Sequence, residues 1–317
     1  MVARSREDLH VGTTERSLVR SRRCLPKKHV METTKGTAGV AWMLLATVLY
    51  TGANLCVKAL AHLPTQELVF LRSIVSLALT AGWLKWQGYS LLGVNRKWLL
   101  IRGIFGTIGL ATFFHTLRFI PIASATVIQY LSPIFTVLLA RYFDGQKSMR
   151  PVQWAFFATA FIGVLMVKGF DQRINWLYFS LGVISAMAAA VAYLATMKCR
   201  ETDHPVGVVI WFHLVAVPVT GSWTAFTWVA PVGSEWLLAL AVGILSVVAQ
   251  VSMTYALHRG EASVIMPFKY VGAILAFTFG LLLFDEKLST FALVGMGLVI
   301  ASVTANTVIK RWALKAA

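Results

Sequence analysis

Charge is scarce in this chain of 317 residues: Asp, Glu, Lys and Arg supply 13% of it, against roughly a quarter in soluble domains. With 57% of residues hydrophobic, the polar remainder is too small to wrap one soluble globule, and the chain reads as an integral membrane protein. Cysteine is scarcer still. Cys24, Cys56 and Cys199 are too few and too scattered for a disulfide framework or a zinc site, so each reads as an unpaired thiol. No GxxxxGK[ST] phosphate loop occurs, which excludes an ATP-driven pump, and no HExxH or GxSxG marks a membrane-embedded hydrolase. Gly103, Gly106 and Gly109 have spacing suited to close helix packing, not to a dinucleotide. Neither an enzyme nor a cofactor or metal is expected.

The formal net charge of +16 resembles a nucleic-acid footprint, but nine of the 29 Lys and Arg lie in residues 1–36 and most of the others flank apolar runs. That pattern is topological: the expected partner is the lipid bilayer, not a nucleic acid. Residues 1–36 contain no apolar run of the about 7 to 15 residues a signal peptide needs, and read as a disordered basic tail; Met31 opens a more ordinary beginning. At about 20 residues per helix, apolar runs predict ten spans, at 38–60, 65–85, 98–118, 124–141, 152–170, 176–197, 206–227, 236–257, 262–284 and 289–309. Pro133, Pro218 and Pro267 fall inside spans, where each removes a backbone hydrogen bond and predicts a kink. On alternate sides the basic residues divide unequally, with only Arg118, Lys168, Arg173 and Lys287 facing one side. The richer side is therefore expected to be cytoplasmic and to hold both termini, in the plasma membrane.

An offset of 140 pairs Gly103 with Gly243, Leu117 with Leu257, Tyr130 with Tyr270 and Ile134 with Ile274. Both copies read span, short loop of small and polar residues (IPIASA at 120–125, RGEAS at 259–263), then a span with a central Tyr. An odd number of spans separates them, so the copies face opposite ways, as in alternating-access transporters. The expected fold is an all-α membrane protein: two inverted five-helix repeats, 37–170 and 176–312, around a central cavity, with a short tail at 313–317.

At RGIFGTIGLATFFHTLRFIPIASATVIQYLSPIFTVLLARYF (102–143) and YALHRGEASVIMPFKYVGAILAFTFGLLLFDE (255–286) the sequence resembles the EamA-type, ten-span branch of the drug/metabolite transporter superfamily. The resemblance extends over 36–312. It implies a basket of ten helices, cytoplasmic termini and secondary transport of a small metabolite. In one place the chain departs from the pattern: Asp144 and Gln146 stand in the loop after the fourth span, where the family often has Glu.

Lys58, Arg72, Arg102 and Lys269 fall within spans, opposed there by Glu67 alone. A charge at the bilayer centre costs roughly 3 kcal/mol on insertion scales unless it snorkels, pairs or faces water. Lys58 and Arg102 lie near span ends and are expected to snorkel. Arg72 and Lys269 are deeper, Arg72 near 10 Å below the outer surface and Lys269 about as far from the inner one, at about 1.5 Å per residue. Glu67 lies about 140° around the helix from Arg72, so the two do not share a face. Glu67 is the candidate for proton coupling, with a structural ion pair as the alternative. Gln129-Tyr130 and Lys269-Tyr270 occupy equivalent places in the two repeats, where the family's cavity would lie. With Arg72, Asn54, His115 and Gln250 they form the candidate substrate site, for a cargo that is anionic or zwitterionic. A transport-inactive scaffold or receptor is the alternative reading. The topology predicts that single cysteines in 61–64, 119–123 and 229–235 react with an impermeant reagent added outside, and those in 144–150 and 200–204 do not; the reverse pattern would refute it.

Overall fold

The computed structural model describes residues 27–144, 175–260 and 265–285, with scattered positions between 155 and 166 and between 290 and 305. Inside a bilayer every backbone amide must be satisfied within its own segment, and the described elements are accordingly helices. They are α1 (Lys27–Ala59), α2 (Thr65–Trp86), α3 (Arg96–Phe119), α4 (Ile122–Gln129), α5 (Leu131–Asp144), α6 (Trp176–Lys198), α7 (Pro205–Thr227), α8 (Glu235–Arg259), a 3-10 turn (Met266–Tyr270) and α9 (Val271–Phe284). Seven helical stretches among the described residues are long and apolar enough to cross a membrane, α4 and α5 together forming one of them. Most of the expected fifth span, 152–170, and part of the tenth lie outside the described residues. Helix backbone begins at Lys27, ahead of the expected 38 and inside the stretch read as a tail.

Many threonine hydroxyls inside the helices are satisfied locally. Thr47, Thr51, Thr107, Thr126, Thr136, Thr196, Thr220 and Thr254 each donate to the carbonyl four residues back, so a polar side chain enters the bilayer with its proton already bonded. Leu45, Val48, Ile74, Leu79, Ile104 and Ile108 stay exposed on outward faces, as side chains meeting lipid should, while Trp86, Trp176 and Trp236 are exposed at helix ends.

The offset of 140 reappears as helix boundaries. Added to the starts of α2 and α3, it falls on Pro205, where α7 starts, and on Trp236, the second residue of α8. It also reappears in packing: α1 lies along α8 as α6 lies along α3, and α2 packs on α7. Contacts that exchange partners between halves are the mark of a two-fold relation. A Cβ on Gly103 would stand 2.6 Å from Val215 Cγ2 and 2.8 Å from the Trp211 carbonyl; one on Gly243 would stand 2.6 Å from Val75 Cβ. Each pair is the other displaced by 140.

Proline acts unevenly. The fourth span breaks between Gln129 and Leu131, because Pro133 has no N–H for the Gln129 carbonyl, and Pro267 sits in the 3-10 turn that replaces α-helix before Tyr270. At Pro218, in contrast, α7 runs on unbroken. Gly103→Ala and Gly243→Ala should each lower stability by about 1–3 kcal/mol through overpacking, read by thermal unfolding of the purified protein. Gly82→Ala, with nothing within 4 Å of the added Cβ, should be neutral or stabilising. Equal behaviour of all three would show that the crossings are looser than described.

Candidate functional site

Between the two halves lies a cavity with about 1040 Å³ of space not filled by atoms, a volume that includes open solvent at its mouth. Residues from α1, α2, α3, α4, α6, α7, α8 and α9 line it, together with Tyr130 and Lys269 at the two helix breaks. Arg72, Arg102 and Lys269 project into it, and among the described residues the lining contains no carboxylate.

Arg72 is 3% exposed, and its Nη2 donates to Gln250 Oε1 at 3.1 Å. Its Nε and Nη1 are buried without a hydrogen-bond partner. The guanidinium carbon lies 5.8 Å from the Phe114 ring centroid and 5.5 Å from that of Phe212, so aromatic faces supply part of what water would. Arg102 does not snorkel as expected. It is 4% exposed, lies 5.2 Å from the same Phe212 ring, and its Nε is unpartnered. Gly106, one turn further along α3, makes this possible, because a Cβ there would collide with Arg102 Nη1 and the Phe212 ring. Lys269 Nζ donates to the Tyr193 hydroxyl at 2.9 Å and lies 4.7 Å from that ring's centroid. Lys58 does not snorkel either: it donates to the Leu117 and Ile120 carbonyls at 3.2 and 2.8 Å, where α3 ends.

Of the residues proposed from sequence, Arg72, Asn54, Gln129, Tyr130, Gln250 and Lys269 share this lining. Ser185 Oγ lies 2.8 Å from Gln129 Oε1 and 2.6 Å from the Gly109 carbonyl, tying α6 to α3 beside the cavity. Tyr270 stands behind the lining: its hydroxyl donates to the Tyr130 carbonyl at 2.8 Å and the two rings are 4.8 Å apart. Gly272 leaves the room that the Tyr130 hydroxyl fills. His115 also stands outside the lining, 3.4 Å from Thr65 Oγ1 and against Phe119. Glu67 is fully buried away from the cavity and accepts the Val229 N–H at 2.9 Å, so it holds the loop before α8 instead of pairing with Arg72. Asp203 accepts the Val94 and Asn95 N–H groups at 2.6 and 3.1 Å, doing for the loop before α3 what Glu67 does for the other.

Residues 37–169 and 176–308 each match the EamA-like transporter family. The chain belongs to this family. It is 29% identical over 270 residues to the pseudopaline exporter CntI of Pseudomonas aeruginosa strain UCBPP-PA14, covering 84% of this chain and 94% of that one. It is 24% identical over 278 residues to a riboflavin transporter of Rhizobium johnstonii, covering 86% and 91%. A solved crystal structure superposes with a TM-score of 0.69 over 87% of this chain and 99% of the other, at 20% identity, a likeness of fold alone. This EamA-like chain is thus a multi-pass membrane transporter, not an enzyme.

Tyr50, Tyr193, Phe114 and Phe212 line the cavity of this transporter and escaped the reading of the sequence, because an aromatic residue in an apolar span carries no signal of which face it takes. A second aromatic group stands outside the lining. Trp42 and Tyr255, near the lining residues Met43 and Met253, stack at 5.2 Å, with Arg259 over both rings. Against them His204 stacks on Trp83 and Tyr89 at 5.1 and 4.7 Å, and Tyr255 Oη lies 3.4 Å from its Nε2. His204 Nδ1 accepts the Val206 N–H at 3.3 Å, capping α7. Burial holds this imidazole below its ordinary pKa. The unfolded chain therefore takes up the proton first, and stability is full above about pH 6.5 and falls as the pH drops below it. Thermal unfolding temperature should decline on acidification toward about pH 5, with a shallower decline in His204→Asn, which keeps a capping side chain; identical slopes would remove His204 as the cause.

Proposed function

We propose that this chain is a secondary transporter that moves a small polar metabolite carrying a carboxylate or phosphate, anionic or zwitterionic, by alternating access. One observation carries the reading: Arg72 stands in the central cavity with two nitrogens unpartnered and a neutral amide as its hydrogen-bond partner. An unpaired buried cation is tolerable when an anion compensates it for part of the cycle. Arg72 offers a planar fork, Lys269 a point charge, and Asn54, Gln129 and Tyr130 neutral polar groups. The paired helix breaks at Tyr130 and Tyr270 place irregular backbone beside the cargo, and the two-fold relation of the halves supplies the second, oppositely open arrangement. Relatives named as a pseudopaline exporter and a riboflavin transporter support a small-metabolite cargo. The richer side of Lys and Arg supports a plasma-membrane orientation with both termini cytoplasmic. Glu67, bonded to the Val229 amide outside the lining, is better suited to holding that loop than to coupling protons.

Uptake of a mass-tagged metabolite panel by proteoliposomes tests the function. For whichever cargo is taken up, Arg72→Gln and Lys269→Gln should each weaken affinity about tenfold or more, equivalent to about 1.4 kcal/mol, with unfolding temperatures unchanged. Normal affinity in both variants, or loss of folding in place of binding, would make these charges structural.

A further inference from the structure

Arg72 and Arg102 are separate in sequence and on different helices, yet both stand over one ring. Their guanidinium carbons lie 5.5 and 5.2 Å from the Phe212 centroid. That confines them to within about 11 Å of each other, close enough for repulsion to count in a dry interior. Each is nearly fully buried, and each keeps at least one nitrogen without a partner. Gly106 holds open the space that Arg102 enters, so its inward turn is built into α3. The third cation differs in kind: Lys269 is engaged by the Tyr193 hydroxyl and ring. No carboxylate among the described residues of the lining answers any of the three.

We propose that the cavity is a two-arginine seat for a small doubly charged anion, a dicarboxylate or a phosphate, with Arg102 as the residue that selects the second charge. The proposal rests on the anion reading of the same cavity and narrows it. A monoanion would compensate one guanidinium and leave the other buried without a counter-charge as the cavity closes over it. A zwitterion fares worse, since its ammonium would find no carboxylate among the described residues of the lining and would add a cation to those present. A dianion answers both guanidiniums, and each can present a pair of N–H groups to planar or tetrahedral oxygens. Phe114 and Phe212 then serve as the floor that keeps both guanidiniums aimed inward, since each aromatic face replaces part of the lost hydration.

The probes are succinate and inorganic phosphate as dianions, butyrate as the monoanion of matching length, and alanine as the zwitterion, each added to the full chain in detergent and followed by thermal shift. Succinate, phosphate or both should bind at least about tenfold tighter than butyrate, and alanine should leave the unfolding temperature unchanged. Which dianion binds distinguishes the carboxylate source of charge from the phosphate. Arg102→Gln should bring the dianion down to the affinity of butyrate while leaving butyrate itself unaffected, whereas a merely structural residue would weaken both alike. Gly106→Ala keeps every charge and should reproduce that levelling by displacing the guanidinium. Tighter binding of butyrate or alanine than of either dianion would overturn the two-arginine seat and leave the broader anion or zwitterion reading standing. If the protein folds and none of the four probes binds, both fall. The comparison of probes on the unsubstituted chain decides this even if a variant does not fold.

Discussion

Everything about the cavity depends on how closely α3 crosses α7 at Gly103 and α8 crosses α2 at Gly243. With no Cβ at either glycine, a helix backbone can lie against a valine or a carbonyl of its neighbour. Such packing is what holds helices together where lipid offers no hydrophobic gain. Because the same crossing occurs twice, at positions 140 residues apart, the two halves meet around a two-fold relation. The central space is the volume these crossings leave unfilled.

Among the described residues, that space receives charge of one sign: two arginines and a lysine enter from α3, α2 and the turn before α9, and Glu67 and Asp203 stand elsewhere. Glu67 is spent on the Val229 amide and Asp203 on the amides of Val94 and Asn95. These two carboxylates thus fasten equivalent loops in the two halves. Aromatic faces, a glutamine amide and a tyrosine hydroxyl hold the cations without cancelling their charge, so the cavity stays positively charged.

The helix breaks complete the arrangement. Pro133 stands just past the break at Tyr130 and Pro267 lies in the 3-10 turn that ends at Tyr270, and the Tyr270 hydroxyl, donating to the Tyr130 carbonyl, ties the two places together. A bilayer tolerates irregular backbone where it is buried in protein or lines a cavity, and these breaks meet that condition.

The sequence alone determined the membrane class, most span boundaries, the 140-residue repeat and the family, because apolar run length and loop charge are local properties that a bilayer reads one segment at a time. It also singled out Arg72, Gln129, Tyr130, Gln250 and Lys269, since a polar group inside an apolar span stands out whatever its surroundings. Only the tertiary structure decided which way each side chain faces. Depth alone put Arg102 with Lys58 as a residue reaching for the headgroups, whereas the gap at Gly106 and the ring of Phe212 turn it inward. Tyr50, Tyr193 and Phe212 look like any other aromatic in an apolar run until helices distant in the chain pack beside them. Glu67 and Tyr270 looked like site residues and instead serve a loop and a helix break. The physical reason is common to all of them: hydrophobicity fixes that a helix is in the membrane, but the direction in which its polar side chain points is set by contacts with helices far away in sequence.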